Sequence, residues 1–408
     1  MRVTVPDLRR ARIADSLAFG MQGFFFAVIL SHLPQQQEKF GLSDGTIAAG
    51  ILLASVLAGG GSVLAERIAL RRSSRTTLRL GLLLVTVTGC AVAFAPDTAV
   101  LLVSLGCYGV ALGMVDASAN MQAVFIQHGY GTFILASFYA AWSAGSIGGA
   151  LYVAGTESLD IGLRPSLLGA AGLVLAVGLA LGPWLLDRGA AEAAPAESPD
   201  GGSSASTPVG TRLFLALGMA IALVFAVDVS VGSWSALYLT DELRASPAIG
   251  ALALAAYQGS ALLARLVGDR WVRRFGPRSV VRAVAVVGAA GMALVVCAPA
   301  PGFALAGFLV TGLGIGVIAP LCFSEAGEAT GGPALDALIA RLNLFNYAGT
   351  LVAGVVVGGI TTALTYRVGF VVPLVCAAAL VALAGAFHRR PAVGTSPDSP
   401  PDRAVLDI

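Results

Sequence analysis

Charge is what this sequence has least of. Only 12% of its 408 residues are Asp, Glu, Lys or Arg, about half the share in ordinary soluble domains. Lysine occurs once, at Lys39, and histidine three times. The formal net charge of +2 leaves no basic field for DNA or RNA, so a nucleic-acid partner is not expected. Sparse charge together with 57% hydrophobic residues and a mean hydropathy of +0.84 excludes a soluble enzyme and a disordered chain. The sequence also lacks a Walker A loop, H-E-x-x-H, G-x-S-x-G and any C-x-x-C pair. ATP hydrolysis, membrane-embedded hydrolysis and a metal or redox centre therefore have no residues to carry them, and no cofactor is expected. Cys90, Cys107, Cys297, Cys322 and Cys376 lie far apart inside apolar runs and read as small buried hydrophobes.

What the sequence has is apolar runs of spanning length. Crossing ~30 Å of hydrocarbon takes about 20 such residues. Runs lie at about 13–33, 43–64, 78–95, 98–122, 131–155 and 165–186, then at about 211–239, 248–267, 280–298, 301–323, 339–362 and 367–387. Segments this long without alternation require helices rather than a barrel. The expected fold is an all-α polytopic membrane protein, with twelve transmembrane helices in two six-helix bundles, 13–186 and 211–388. Met1 to Arg12 reads as a short cytoplasmic tail; the apolar run after it is too long for a cleaved leader and lacks an A-x-A exit. The Ala-, Pro-, Ser- and Gly-rich stretch 187–210 reads as a flexible cytoplasmic linker, and 389–408 as a disordered tail. Twenty of the 25 basic residues fall on the side of the termini and linker, and only Lys39, Arg164, Arg244 and Arg367 on the other. This bias places both termini in the cytoplasm.

The two halves repeat at an offset of 203: Glu66 maps to Asp269, Arg67 to Arg270, Arg71 to Arg274, Ser43 to Ser246 and Gly113 to Gly316. Parallel copies of six helices are a transporter pattern. The loop after the second segment, with Gly61, Leu64, Ala65, Arg67, Arg71 and Arg72, resembles the G-x-L-A-D-R-x-G-R-R motif of the major facilitator superfamily. It departs from the motif at Glu66 and Ala69, and its copy at Gly268-Asp269-Arg270 restores the aspartate. The runs GMVDASANMQ and DVSVGSWSALYL look like a bacterial group near the fucose-permease-like branch. That branch often carries Arg-Ile-Pro where this chain has His32-Leu33-Pro34, and an acid in the first helix where it has Gln22. Drug antiporters of this superfamily usually carry an arginine in the fourth helix and G-P-x-x-G-G in the fifth; here the fourth has none and the fifth reads Gly145-Ser146-Ile147-Gly148-Gly149.

Ionisable residues inside a membrane cost at least ~2.5 kcal/mol each on insertion scales, which makes them functional candidates. Asp116 lies within the fourth segment, with Asn120 one turn on and on the same face. The two suit proton coupling or substrate contact, or else a structural bond to a neighbouring helix. Asp228 lies deep in the seventh, followed by Trp234 and Tyr238 as cavity or interface aromatics. Gln22, Trp142, Tyr257, Gln258, Asn343, Asn346 and Tyr347 are further cavity candidates, equally able to serve helix–helix bonding. Helical spacing also puts Phe138 and Gly149 beside Trp142. Pro320 predicts a kink in the tenth helix, and Glu325 and Glu328 read as solvated loop acids beyond it. His32 reads as a solvated loop histidine near the outer surface.

The family resemblance implies that Glu66 and Arg67, with Asp269 and Arg270, form a cytoplasmic gate, to which Arg71 and Arg274 are added; Arg265 is expected to pair with Asp269 one turn away. The resulting expectation is a monomeric secondary transporter in a bacterial plasma membrane. It would move a small organic solute, polar or sugar-like, with protons; export of a drug or natural product by antiport is the alternative.

Overall fold

The computed structural model describes residues 5–187, 210–331 and 333–388, and these are helical with no strand among them. The first six long helices are α1 (Val5–Ser31), α2 (Asp44–Arg71), α3 (Ser74–Phe94), α4 (Thr98–Tyr130), α5 (Leu135–Ser158) and α6 (Leu163–Leu181). The second six are α7 (Thr211–Leu237), α8 (Pro247–Phe275), α9 (Pro277–Val296), α10 (Pro301–Ile315 and Ile318–Ala329), α11 (Pro333–Val352, continued through Gly358–Ala363) and α12 (Tyr366–Gly369 and Val371–Leu383). A short helix, Leu33–Phe40, follows α1. Most of the linker expected at 187–210 and the whole tail expected at 389–408 lie outside the described residues.

Eleven of these helices are long and apolar enough to cross a membrane. The twelfth is α5, whose run of Gly, Ser and Ala lowers its hydropathy. Small residues here serve close approach instead: a methyl group at Gly145 would overlap the Gly20 carbonyl of α1. Several helices run past the hydrophobic span, with α4 continuing to Tyr130 and α8 to Phe275. Helix α1 begins at Val5, so Arg9, Arg10 and Arg12 ride on helix. Gly131, in the left-handed region at φ 62°, closes α4 by donating to the Gln127 and His128 carbonyls. The sharp stop lets α5 start four residues later.

The repeat seen in the sequence is physical. In the first bundle α1 packs on α5, α2 on α4, and α3 on α4 and α6; in the second α7 packs on α11, α8 on α10, and α9 on α10 and α12. Ser43 caps α2 by accepting from Thr46 N–H, and Ser246 caps α8 by accepting from Ile249 N–H. Methyl groups at Gly109 and Gly113 would strike Ala54 and Ala58 of α2, and at Gly312 and Gly316 would strike Tyr257 and Ala261 of α8. Each partner obeys the same offset of 203. Two glycines thus set the same helix crossing in each half. The bundles meet along α2 with α11 and α5 with α8.

Overpacking a tight contact costs about 1–3 kcal/mol. Gly113→Ala is therefore expected to lower the thermal unfolding midpoint of the purified protein, measured by thermal shift in detergent. Gly60→Ala, where a methyl group meets nothing within 4 Å, should leave it unchanged.

Candidate functional site

Asp116 of α4 sits at the junction of the two bundles, incompletely buried. Its Oδ1 accepts from Gln22 Nε2 of α1, and its Oδ2 from the Tyr347 hydroxyl of α11. One carboxyl group thus joins the first bundle to the second. Asn120 donates to the Asp116 backbone carbonyl at 2.9 Å and accepts from the Tyr139 hydroxyl at 3.0 Å. Asn343, one turn before Tyr347, donates to Ser62 Oγ of α2 at 2.9 Å, and Ser62 donates to the Gly113 carbonyl at 3.2 Å. Gln22 Oε1 is buried without a partner among the described residues. The amide therefore serves either protonation state of Asp116: as placed its N–H donates to a carboxylate, and turned over its oxygen accepts from a carboxylic acid.

The second bundle supplies the other charges. Asp228 of α7 is half-buried and hydrogen-bonded to the Tyr257 hydroxyl of α8, with Arg265 the cation acting on both. Arg265, only 8% exposed, does not pair with Asp269. Its Nε donates to the Gly316 carbonyl at 2.9 Å, its NH1 group donates to Ser143 Oγ of α5, and its guanidinium lies 6.0 Å from the Tyr139 ring centre. Proline chemistry explains the first bond. Pro320 has no N–H to give to the carbonyl four residues back, which is Gly316. Helix α10 breaks there, between Ile315 and Ile318. Arg265 takes the orphaned carbonyl, so the kink expected from Pro320 also positions a buried cation.

Nearer the face that carries most of the arginines, the bundles are joined by a second set of bonds. Asp269 accepts from the Ala136 and Ser137 N–H groups at 3.0 Å each. These belong to the first turn of α5, whose donors have no intrahelical partner, so Asp269 caps α5 from the other bundle. The equivalent acid, Glu66, meets α11 well inside its length, where N–H groups are already spent. A side chain replaces them: Arg341 donates to Glu66 Oε1 at 2.8 Å. Arg273 donates to the Phe133 carbonyl at 2.8 Å, Ser324 to Gln127 Oε1 at 3.0 Å, and His128 Nε2 bonds the Gly327 carbonyl at 2.8 Å. Among the described residues, no hydrogen bond crosses between the bundles in the half of the molecule beyond Asp116 and Tyr347. The arginine-rich face is sealed, and on the opposite side the described residues form no hydrogen bond between the bundles.

The site residues expected from sequence thus divide. Asp116, Asn120, Gln22, Asn343 and Tyr347 converge in one cluster; Asp228, Tyr257 and Arg265 form a second beside it. Trp142 is half-buried against Phe26, with ring centres 6.0 Å apart, and Trp234 is half-buried beside Gly358 of α11. Gln258 is half-buried, and Asn346 is buried with its backbone carbonyl taken by Thr350. Of the gate arginines, Arg67 and Arg270 are exposed, Arg71 is exposed with a partner of its own, and Arg274 lies over its neighbour Phe275.

Other expectations are corrected. Tyr238 does not face a cavity: it is fully buried in the second bundle, donating to the Val295 carbonyl at 2.9 Å and packing on Phe370. Glu325 is not a loop acid: it is 1% exposed within α10 and bonded to His388 Nδ1 at 2.8 Å, while Glu328 is exposed in the last helical turn. His32 is not solvated: at 2% exposure it bridges Gln35 and Ser166. Residues the sequence reading missed are Ser62, Tyr139, Ser143 and Arg341, whose types are common on any membrane helix and signal nothing without the helix they face.

The family model for the Major Facilitator Superfamily matches residues 213–406. An uncharacterized MFS-type transporter of Yersinia pestis is 27% identical over 365 residues, covering 88% of this chain and 91% of its own. FucP in the outward conformation superposes with a TM-score of 0.74 at 17% identity, over 94% of this chain and 98% of its own. The proton:xylose symporter XylE bound to 6-bromo-6-deoxy-D-glucose gives 0.73 at 13% identity, over 92% and 94%. The twelve helices, the repeat that relates their halves and these likenesses agree: the chain has the fold of major facilitator superfamily transporters, its second half matches that superfamily's model, and the relatives it resembles over most of its length are membrane transporters and not enzymes.

Proposed function

We propose that this protein is a proton-coupled secondary transporter of a small polar organic solute, working as a monomer in a bacterial plasma membrane with its arginine-rich face in the cytoplasm. The observation that carries this reading is Asp116, whose two oxygens are held by donors from the two bundles. A proton added to either oxygen removes the negative charge that strengthens both hydrogen bonds, so protonation of this group weakens a bond between the halves. Solute binding between Asp116 and the Asp228–Tyr257–Arg265 group would act on the same junction. Hydroxyl-rich solutes fit the amides, phenols and carboxyls gathered there. The fucose:proton and proton:xylose symporters of the same fold are consistent with that class. Alternating access then consists of breaking the seal on the arginine-rich face while the other side closes. The positive-inside rule orients the molecule.

Solute-triggered currents in proteoliposomes test the coupling, with sugars, organic acids and cationic drugs as the screen. A responding solute is expected to drive current that follows the pH gradient. Asp116→Asn should abolish gradient-driven accumulation while retaining solute exchange; accumulation that survives this change removes Asp116 from the coupling. The direction of solute movement relative to protons separates uptake from export.

The seal makes a second prediction. Losing a helix cap costs about 1 kcal/mol, up to ~2, which shifts a two-state ratio about five- to thirtyfold. Cys322 is fully buried in α10, on the sealed side. Asp269→Ala is expected to speed its labelling by a maleimide by that factor, read by mass spectrometry. An unchanged rate would show that Asp269 does not hold the seal.

A further inference from the structure

Asp15 of α1 is fully buried, and neither carboxyl oxygen has a hydrogen-bond partner among the described residues. It lies on a stripe of α1 made by half-buried Leu8 and buried Ala11, Ala18, Gln22 and Phe25 at helical spacing. That stripe runs along α4. At one end Leu8 packs on Gly129; in the middle Gln22 meets Asp116; beyond it Phe25 packs on Tyr108. Asp15 is seven residues from Leu8 and seven from Gln22. It therefore stands midway between Asp116 and the arginine-rich end of α4, about 10 Å from each level along α1.

Most other polar and charged groups on this part of the molecule are engaged elsewhere, while Gln127 Nε2 and His128 Nδ1 of α4 are buried without a partner among the described residues. Arg12, three residues before Asp15, lies over the Tyr130 ring at 5.4 Å and donates to Ser137 Oγ at 3.4 Å. On α4, Asp116 is held by Gln22 and Tyr347, Asn120 is held by Tyr139, and Gln127 accepts from Ile134 N–H and Ser324. On α5, Tyr139 is spent on Asn120. Beyond α5, Asp269 takes the Ala136 and Ser137 N–H groups. Arg79 of α3 lies against Gly182 at the end of α6, and Asp187 after it has a partner of its own. A carboxylate with no partner in such a place would be strongly destabilising, whereas a carboxylic acid is tolerated.

We propose that Asp15 is a second proton-carrying group, which passes protons between Asp116 and the arginine-rich face when the seal opens. The proposal rests on the proton-coupled reading of Asp116. In the sealed state Asp15 keeps its proton. Ser137 links the seal to this group, because its N–H is bound by Asp269 and its hydroxyl by Arg12. When α5 leaves Asp269, Ser137 and the Arg12 it holds are uncovered at the parting face and water reaches α1. The Asp15 O–H bond then breaks, the proton passes to that water, and the carboxylate pairs with Arg12 one turn away. A proton arriving through water from Asp116 re-forms the O–H bond at Asp15 as it breaks at Asp116.

Infrared difference spectroscopy of the full chain in lipid, following hydrogen–deuterium exchange in the protonated-carboxyl C=O region, tests this without a known solute. Asp15→Asn is expected to remove one component at neutral pH, and Asp116→Asn a different one that appears as the pH is lowered. Asp15→Glu should keep a shifted component, which controls for misfolding of the amide variant. An exposed ion pair holds a two-state equilibrium by about two- to fivefold, so Glu66→Ala, which loosens the seal, is expected to speed exchange of the Asp15 component by that factor. A spectrum unchanged by Asp15→Asn, or an exchange rate unchanged by Glu66→Ala, overturns the proposal. If Asp116→Asn removes no component even at low pH, the central reading fails as well; if it removes one and Asp15→Asn does not, only this inference falls.

Discussion

A polar group taken out of water must find a partner, and in a membrane almost no water is at hand to provide one. Within each bundle the helices meet that demand with their own backbones and with side-chain bonds such as Gln22 to Asp116 and Tyr139 to Asn120. Between the bundles it is met only by groups on the other side of the interface. Asp116 with Tyr347, Asn343 with Ser62, Arg265 with Ser143, Asp269 with α5 and Glu66 with Arg341 are all solutions to this one constraint. They lie in one half of the molecule, so the same bonds that satisfy buried polar atoms also select which side is closed.

The two halves solve the problem differently despite their common pattern. The glycine contacts and the serine caps repeat faithfully, because they set helix crossings that both bundles need. The acids at the gate do not. Asp269 finds free N–H groups at the start of α5, whereas Glu66 faces the interior of α11 and needs Arg341. The first bond uses a buried carboxylate and two backbone donors; the second is an ion pair whose arginine is 61% exposed. Most of the seal's strength therefore rests on the α5–α8 side. The break in α10 adds to that side, since Pro320 frees the carbonyl that holds Arg265 against α5.

Fold and repeat were legible because hydropathy, arginine placement and the offset of 203 are long-range signals that many residues share. Helix ends were less so: α4 and α8 continue past their apolar runs on polar turns that hydropathy does not register. The core of the site was legible where a residue was out of place in hydrocarbon. Asp116, Asp228 and Gln22 stood out for that reason, and the i, i+4 spacing brought out Asn343 with Tyr347. Tyr238 failed because an aromatic one turn from Trp234 can point either way, and only packing against Phe370 decides it. Glu325 and His32 failed because each lies near a helix end, where sequence cannot tell a solvated group from one tucked against a neighbouring helix. Arg265 was expected on Asp269; the deciding partner, the Gly316 carbonyl, is a backbone atom made available by a proline four residues further on.

The central claim is that bonds crossing one half of the interface hold that half closed and the other open, as two exclusive states. Electron–electron distance measurements test it directly, with spin labels paired at positions 72 and 275 on the arginine-rich face and at 161 and 299 on the opposite face. A short first distance and a long second one are expected. When Glu66→Ala and Asp269→Ala are combined, a second population should appear in which the first lengthens as the second shortens. Distances that stay fixed, or that lengthen together on both faces, would contradict it.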